Sequence, residues 1–165
     1  MALIIEDGSN VANANSYVTL TEVRAYALAR GVTLSIIDSD VEVLVIKAMD
    51  YLESLRNKYQ GTKTYTDQAL QWPRENVYID GILQANDSIP ELLKDAECRA
   101  VMEINNEIDL LPTETGLGIK KEVVGPIEME YFKDIGITGS VSAALNALLE
   151  PLLNPSSFIL STVRV

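Results

Sequence analysis

The sequence predicts a mainly α fold: a bundle of about four helices with a small β-hairpin and an extended C-terminal arm. Three observations predict it. Ser or Thr followed three residues later by Glu occurs at three places ahead of apolar periodic segments, and this pairing opens helices because each partner satisfies an orphan amide of the other. One of those segments carries an unbroken apolar seam at helical spacing. After residue 116 the pattern changes to strict alternation, which belongs to strands.

The first start signal, Thr19 with Glu22, predicts a helix from about Leu20 to Arg30 that stops at Gly31, a residue suited to the left-handed C-cap. The second, Ser39 with Glu42, opens the seam: Val41, Val45, Ala48, Leu52, Leu55 and Tyr59 recur at intervals of four and three. Leu44, Ile46 and Met49 widen that face, so this helix is expected at the centre of the bundle. The third, Ser88 with Glu91, leads into the stripe Leu93, Ala96, Ala100, Ile104 and Ile108, with Pro90 in the first turn. A connection from Gln60 to Asp87, rich in Gly, Thr, Asn and Asp, separates the second and third helices; a segment of that length in a compact domain carries function or structure of its own.

A break at Pro112-Thr113-Glu114-Thr115-Gly116 divides a helical core, residues 1–115 with the 60–87 loop, from residues 116–165 within the same compact domain. Charge shifts there too. Residues 61–115 hold 11 acids and 4 bases, whereas residues 116–165 hold 5 acids and 4 bases. Past the break, Lys120 to Val124 and a strand in which Ile127, Met129 and Tyr131 alternate with Glu128 and Glu130 form a hairpin around Gly125-Pro126. A last amphipathic helix follows from Val141, with Ala144, Leu145, Leu148 and Leu152 on one side and Pro151 near its end.

Composition narrows the chemistry. Thirteen Lys and Arg against 24 Asp and Glu give a net charge of −11 in 165 residues, which opposes a surface that tracks phosphates. With no His, the chain lacks the base of a catalytic triad, the HExxH zinc site and the ordinary near-neutral acid or base. Its single cysteine, Cys98, cannot close an intrachain disulfide, and it sits in a predicted helix beside the apolar stripe, which marks it as inert core. The N-terminus meets Glu6 and Asp7 after a few apolar residues and is not expected to act as a secretory signal. The longest uncharged stretch, Ile135 to Leu149, is shorter than the roughly 20 apolar residues of a membrane span.

Candidate sites are correspondingly few. Asp38, Asp40 and Glu42 are the nearest approach to a cation loop but lack its spacing, and they read better as part of a helix cap. Glu128 and Glu130 read as a solvated strand face, and Gly116-Leu117-Gly118 as a turn. Trp72 with Arg74 and Tyr78 could stack a nucleobase. The stronger reading makes Trp72 the anchor of the long loop on the bundle, Pro73 the guide of its path, and Arg74 the partner of a carboxylate or carbonyl. No catalytic, metal or cofactor site is expected, and the residues read as a soluble interaction protein.

Several segments carry a resemblance: Leu3-Ile4-Ile5-Glu6-Asp7-Gly8, Ala14-Asn15-Ser16-Tyr17-Val18, Ala48-Met49-Asp50-Tyr51-Leu52-Glu53, Tyr59-Gln60-Gly61, and above all Gln68-Ala69-Leu70-Gln71-Trp72-Pro73-Arg74. Together they resemble a family of small tailed-phage proteins that is labelled DnaT-like single-stranded DNA-binding and is also similar to head-tail connector (adaptor) proteins. The resemblance implies a helical adaptor of the virion, made in the host cytoplasm and placed at the head-tail interface. Copies would form a ring of about twelve subunits below the portal protein and pass the channel on to a stopper or tail-completion protein. Packaged double-stranded DNA would cross without specific binding. The alternative that the same label implies is a single-stranded DNA-binding protein of DnaT-like type, and in neither case is a catalytic residue or a cofactor carried over.

The C-terminal arm is where the residues themselves point to a partner. Phe158, Ile159, Leu160 and Val163 are too apolar to leave in water, Pro151 and Pro155 detach them from the last helix, and Arg164 offers a cation for a carboxylate. The portal or a neighbouring subunit is the expected contact; the alternative is that the arm folds back to complete its own subunit's hairpin sheet.

Overall fold

Thr19 opens the first helix as the sequence predicts: its hydroxyl oxygen accepts from the Glu22 amide at 3.2 Å while the Glu22 carboxylate accepts from the Thr19 amide at 2.6 Å. In the computed structural model this helix, α1, spans Leu20–Ala29, and Gly31 follows at φ +72°. The structure describes residues 2–111, the backbone of strands 121–124 and 127–130, and residues 142–154. The proposed break at 112–116 therefore lies outside the described residues.

The other two predicted start signals are not used. Helix α2, Asp38–Ser54, begins one residue before Ser39 with Ile37 as its N-cap and no side-chain cap. Acids at Asp38 and Asp40 favour this earlier start at the positive end of the helix. Ser35 braces it, donating to Asp40 at 2.8 Å and accepting from the Ile37 amide at 3.1 Å, and Arg24 pairs with Asp38 at 2.8 Å. Helix α3, Glu91–Asn105, has Pro90 as N-cap, because the fixed proline φ of −59° sets the entry without a side-chain acceptor. Ser88 donates instead to the Ala85 carbonyl at 3.2 Å.

Val41, Val45, Ala48 and Leu52 of the seam are buried within α2, and Leu55 and Tyr59 stay buried beyond its end. The central helix is nevertheless α3, not α2: it packs against α1, α2 and α4 alike. Ala96, Cys98 and Ala100 are small enough to let neighbours approach on more than one side, so Val101 and Met102 are buried as well. Helix α4, Ala143–Leu149, starts at Ser142, whose hydroxyl accepts from the Leu145 amide at 3.1 Å. It tightens into a single 3-10 turn, Glu150–Leu152. That tightening rotates the buried stripe to Leu145, Leu149 and Leu152, leaving Ala144 exposed and Leu148 half-buried, unlike the stripe expected from uniform α periodicity.

The long connection has structure of its own. Strands β1 (Thr62–Lys63) and β2 (Arg74–Glu75) pair antiparallel, as do β3 (Tyr78–Ile79) and β4 (Ile82–Leu83). Asp80 and Gly81 turn the second pair, at φ +53° and +78°, which is the chemistry of a two-residue hairpin. Strands β5 (Lys121–Val124) and β6 (Ile127–Glu130) form the later hairpin, with Val124 opposite Ile127 and Lys121 opposite Glu130.

Gly61 introduces β1 at φ +63°, and a β-carbon there would lie 2.0 Å from the Glu75 carbonyl oxygen. That oxygen belongs to the opposing backbone and cannot step aside. Gly61→Ala is expected to destabilise the chain by about 2 kcal/mol or more, read as a fall in the urea midpoint with an unchanged slope; an unchanged midpoint would contradict the clash.

Candidate functional site

The Gln68–Arg74 segment folds into a knot of hydrogen bonds against the helices. Gln68 is buried and its amide donates to the carbonyls of Leu70 and Pro73 at 2.9 and 3.1 Å, while its side-chain oxygen accepts from the Tyr65 amide at 3.0 Å. Trp72 is 1% exposed, meets Tyr59 edge to face at 5.7 Å, and donates its backbone N–H to the Tyr17 hydroxyl at 3.2 Å. Glu53 on α2 accepts from the Gln71 amide at 2.9 Å and from Tyr17 at 3.3 Å, so helix and loop share one acceptor. The Trp72–Pro73 bond is cis.

Arg74 closes the knot. Its guanidinium donates to Gln60 O at 2.6 Å, Gly61 O at 2.7 Å and Gln71 O at 3.3 Å, the carbonyl role open to it in the sequence. Burial draws its pKa down, and the neighbouring Tyr59, Tyr17 and Glu53 oppose that. Leu70 is buried with Gln68, Gln71, Trp72 and Arg74, while Ala69 is exposed.

Above Arg74 lies an open depression of about 430 Å³ lined by Arg56, Asn57, Thr62, Lys63, Gln71 and Arg74. Every lining side chain can donate a hydrogen bond and none is a carboxylate. Exposed Arg56 and its neighbour Lys58 make no ion pair among the described residues, and Lys63 reaches only the Gln68 carbonyl, at 3.4 Å. Tyr65 and Tyr78 are 36% and 53% exposed, and the Gln60 side chain makes two bonds of 3.2 Å with the Tyr78 backbone. In a chain of charge −11 this is a local excess of cations.

Three buried carboxylates escaped the sequence reading. Glu6 is fully buried and accepts from the amides of Gly8, Asn10 and Val11 at 2.9 to 3.1 Å, so it acts as the hub of the N-terminal loop. Glu97 on α3 is fully buried against Ser16 and the Tyr17 amide, and burial pushes its pKa up to about 8. Glu103 pairs with Arg99 at 3.0 Å and bonds Ser142, joining α3 to the start of α4. The helix positions of Glu97 and Glu103 resemble those of solvated acids in the sequence; only the polar Ser16 and Ser142 far along the chain explain them. Cys98 is buried and its thiol is pushed up to about 12 by burial and the carboxylates around it.

Among the described residues, no group of three His, Cys, Asp or Glu side chains could hold a metal ion. No described helix is long and apolar enough to cross a membrane. Phe158, Ile159, Leu160, Val163 and Arg164 of the arm, and the side chains of Glu128 and Glu130, lie outside the described residues.

Residues 1–165 match the model of a family described as "Putative DnaT-like ssDNA binding protein". The chain belongs to this family. The description names single-stranded DNA and says nothing of a head-tail connector. No curated protein and no solved structure matches the chain.

Proposed function

We propose that the chain works through its surfaces rather than by catalysis, as a head-tail connector of a tailed-phage virion. The observation that supports this reading is apolar surface on an acidic protein: Ile36, Ile37 and Val43 around the start of α2, and Tyr78, Ile82 and Leu83 on the β3–β4 hairpin, are all more than half exposed. Such patches serve contacts with other proteins. The partners on this reading are the portal, a stopper or tail-completion protein, and further copies of the chain in a ring, with duplex DNA passing through ungripped. Phe158, Ile159, Leu160, Val163 and Arg164 supply the grip on the portal or the neighbouring subunit. The assembly takes place in the host cytoplasm and ends in the virion.

Charge gives the reading a sharp consequence. Eleven net negative charges per subunit oppose self-association until a partner offers complementary contacts. Sedimentation at physiological salt is expected to give a monomer or weak oligomer, with ring particles only when portal is present; a stable ring of the chain alone, or no association with portal, overturns it.

Single-strand binding is the second reading, and two observations favour it: the family's description and the cationic depression above Arg74. Three or four cations there could displace about as many counterions, which makes any such binding modest and strongly salt-dependent. A mobility shift on a single-stranded oligonucleotide that weakens with salt and disappears in Arg56→Glu/Lys63→Glu supports this second reading. No shift at physiological salt favours the connector.

A further inference from the structure

Lys63 and Arg74 stand directly opposite each other in the β1–β2 pairing, so their side chains leave the ribbon on one face. Like charges placed this way repel and cost stability, and an anion between them relieves the repulsion. Among the described residues no acid forms an ion pair with either. Two acids of this region are engaged elsewhere: Glu53 accepts from the Gln71 amide and the Tyr17 hydroxyl, and Glu75 accepts from the Thr62 hydroxyl at 3.2 Å. Arg56 brings a third cation to the same depression, exposed and without an ion pair among the described residues, and Asn57 brings a neutral donor. Arg74 itself is 6% exposed and tied to three backbone carbonyls, so it supplies a fixed positive charge under the opening.

We propose that the depression above Arg74 is a phosphate site: Arg56 and Lys63 hold the phosphate over the fixed charge of Arg74, whatever base or sugar that phosphate carries. Its natural occupant, a backbone phosphate of a DNA strand, rests on the single-strand reading; the phosphate chemistry does not. Size permits it, since about 430 Å³ is many times the roughly 30 Å³ that one water occupies in the liquid. Donor arrangement favours phosphate over carboxylate. The lining groups come from three separate segments, 56–57, 62–63 and 71–74, instead of one planar fork, and tetrahedral phosphate oxygens take donors from several directions where a carboxylate accepts in a plane. Indifference to the base follows from the same lining. No aromatic ring belongs to it, so a base finds nothing there to stack on.

The test is calorimetric titration of the full chain with tripolyphosphate at about 50 mM salt, where an electrostatic site binds best. Saturable binding is expected, weakened about tenfold or more in Arg56→Gln/Lys63→Gln, because each lost cation forfeits its share of counterion release. Should the double variant melt early, Arg56→Gln alone leaves the β1–β2 ribbon untouched and still has to weaken binding. An oligoglutamate of equal charge is expected to bind more weakly than tripolyphosphate. No binding of tripolyphosphate, binding that these variants leave unchanged, or oligoglutamate bound as tightly, which would mark a seat for an acidic protein segment, overturns the proposal. A labelled oligothymidylate separates it from the single-strand reading. Tripolyphosphate bound without oligothymidylate removes that reading and leaves the phosphate site standing, whereas oligothymidylate that binds and is not displaced by tripolyphosphate refutes the site and leaves the reading.

Discussion

Trp72→Ala is expected to lower the melting temperature by about 10 °C, the fall that follows from a loss of about 3 to 5 kcal/mol in a domain of this size. The indole is 1% exposed and packs edge to face on Tyr59, so its removal leaves a cavity under the loop where that loop meets α2. Tyr59 in turn is anchored by its hydroxyl to Leu52 O at 3.0 Å, and the rim above is held by Arg74. Little of the surroundings can collapse into the space. Trp72→Phe should lose less than Ala: the ring is retained in part, and the indole N–H it removes has no hydrogen-bond partner among the described residues. Thermal melts followed by circular dichroism at one pH compare the three proteins. An unchanged melting temperature in Trp72→Ala together with lost single-strand binding would instead make the residue a stacking platform.

Much of this anchoring was legible because hydrophobic periodicity and aromatic singularity are local signals. The α2 seam from Val41 to Leu52 follows from spacing alone, and a lone Trp beside Pro in a polar loop has few uses other than an anchor. Capping was less legible. Thr19, Ser39 and Ser88 present the same pattern, yet only Thr19 caps, since Asp38 and Pro90 offer competing starts whose advantage depends on Arg24 and on the incoming chain. The β3–β4 hairpin could have been read from Asp80-Gly81 between short apolar pairs, a dipeptide that accepts positive φ at both positions. Glu6 accepts from amides two to five residues ahead in its own loop, but Glu97 could not be read, because its partners are a serine and a backbone amide brought to it only by the tertiary fold. The cationic depression is of the same kind: Arg56, Lys63 and Arg74 are scattered through the sequence and converge only when β1 pairs with β2.

Glu97 should make stability fall as pH rises from about 4.5 to about 8. Its site suits a neutral carboxyl. The Ser16 hydroxyl has one hydrogen but lies 2.6 Å from Glu97 Oε1 and 2.7 Å from the Val18 carbonyl, and it accepts from the Val18 amide at 3.1 Å. A proton on Glu97 completes the set, donating to Ser16 while Ser16 donates to Val18 and the Tyr17 amide donates to Glu97 Oε2 at 2.9 Å. No cation pairs with Glu97 among the described residues, and burial raises its pKa from the usual 4.5 to about 8. Between those values the folded chain holds a proton that the unfolded chain has released, so its contribution is fully present below pH 4.5 and declines by about 1.4 kcal/mol per pH unit until the folded group also ionises. Glu97→Gln keeps the shape, with its amide donating to Ser16 and its carbonyl accepting from Tyr17, and cannot ionise. Glu22, whose pKa is lowered by its bonds to Thr19, contributes stability that is lost as pH falls, on the acid side of this window, and its negative charge adds to the upward push on Glu97. The stability of the unaltered chain relative to Glu97→Gln should therefore drop by roughly 5 kcal/mol across the window, measured by urea unfolding at several pH values. A difference that stays flat from pH 5 to pH 8 would mean that Glu97 is buried as a carboxylate throughout.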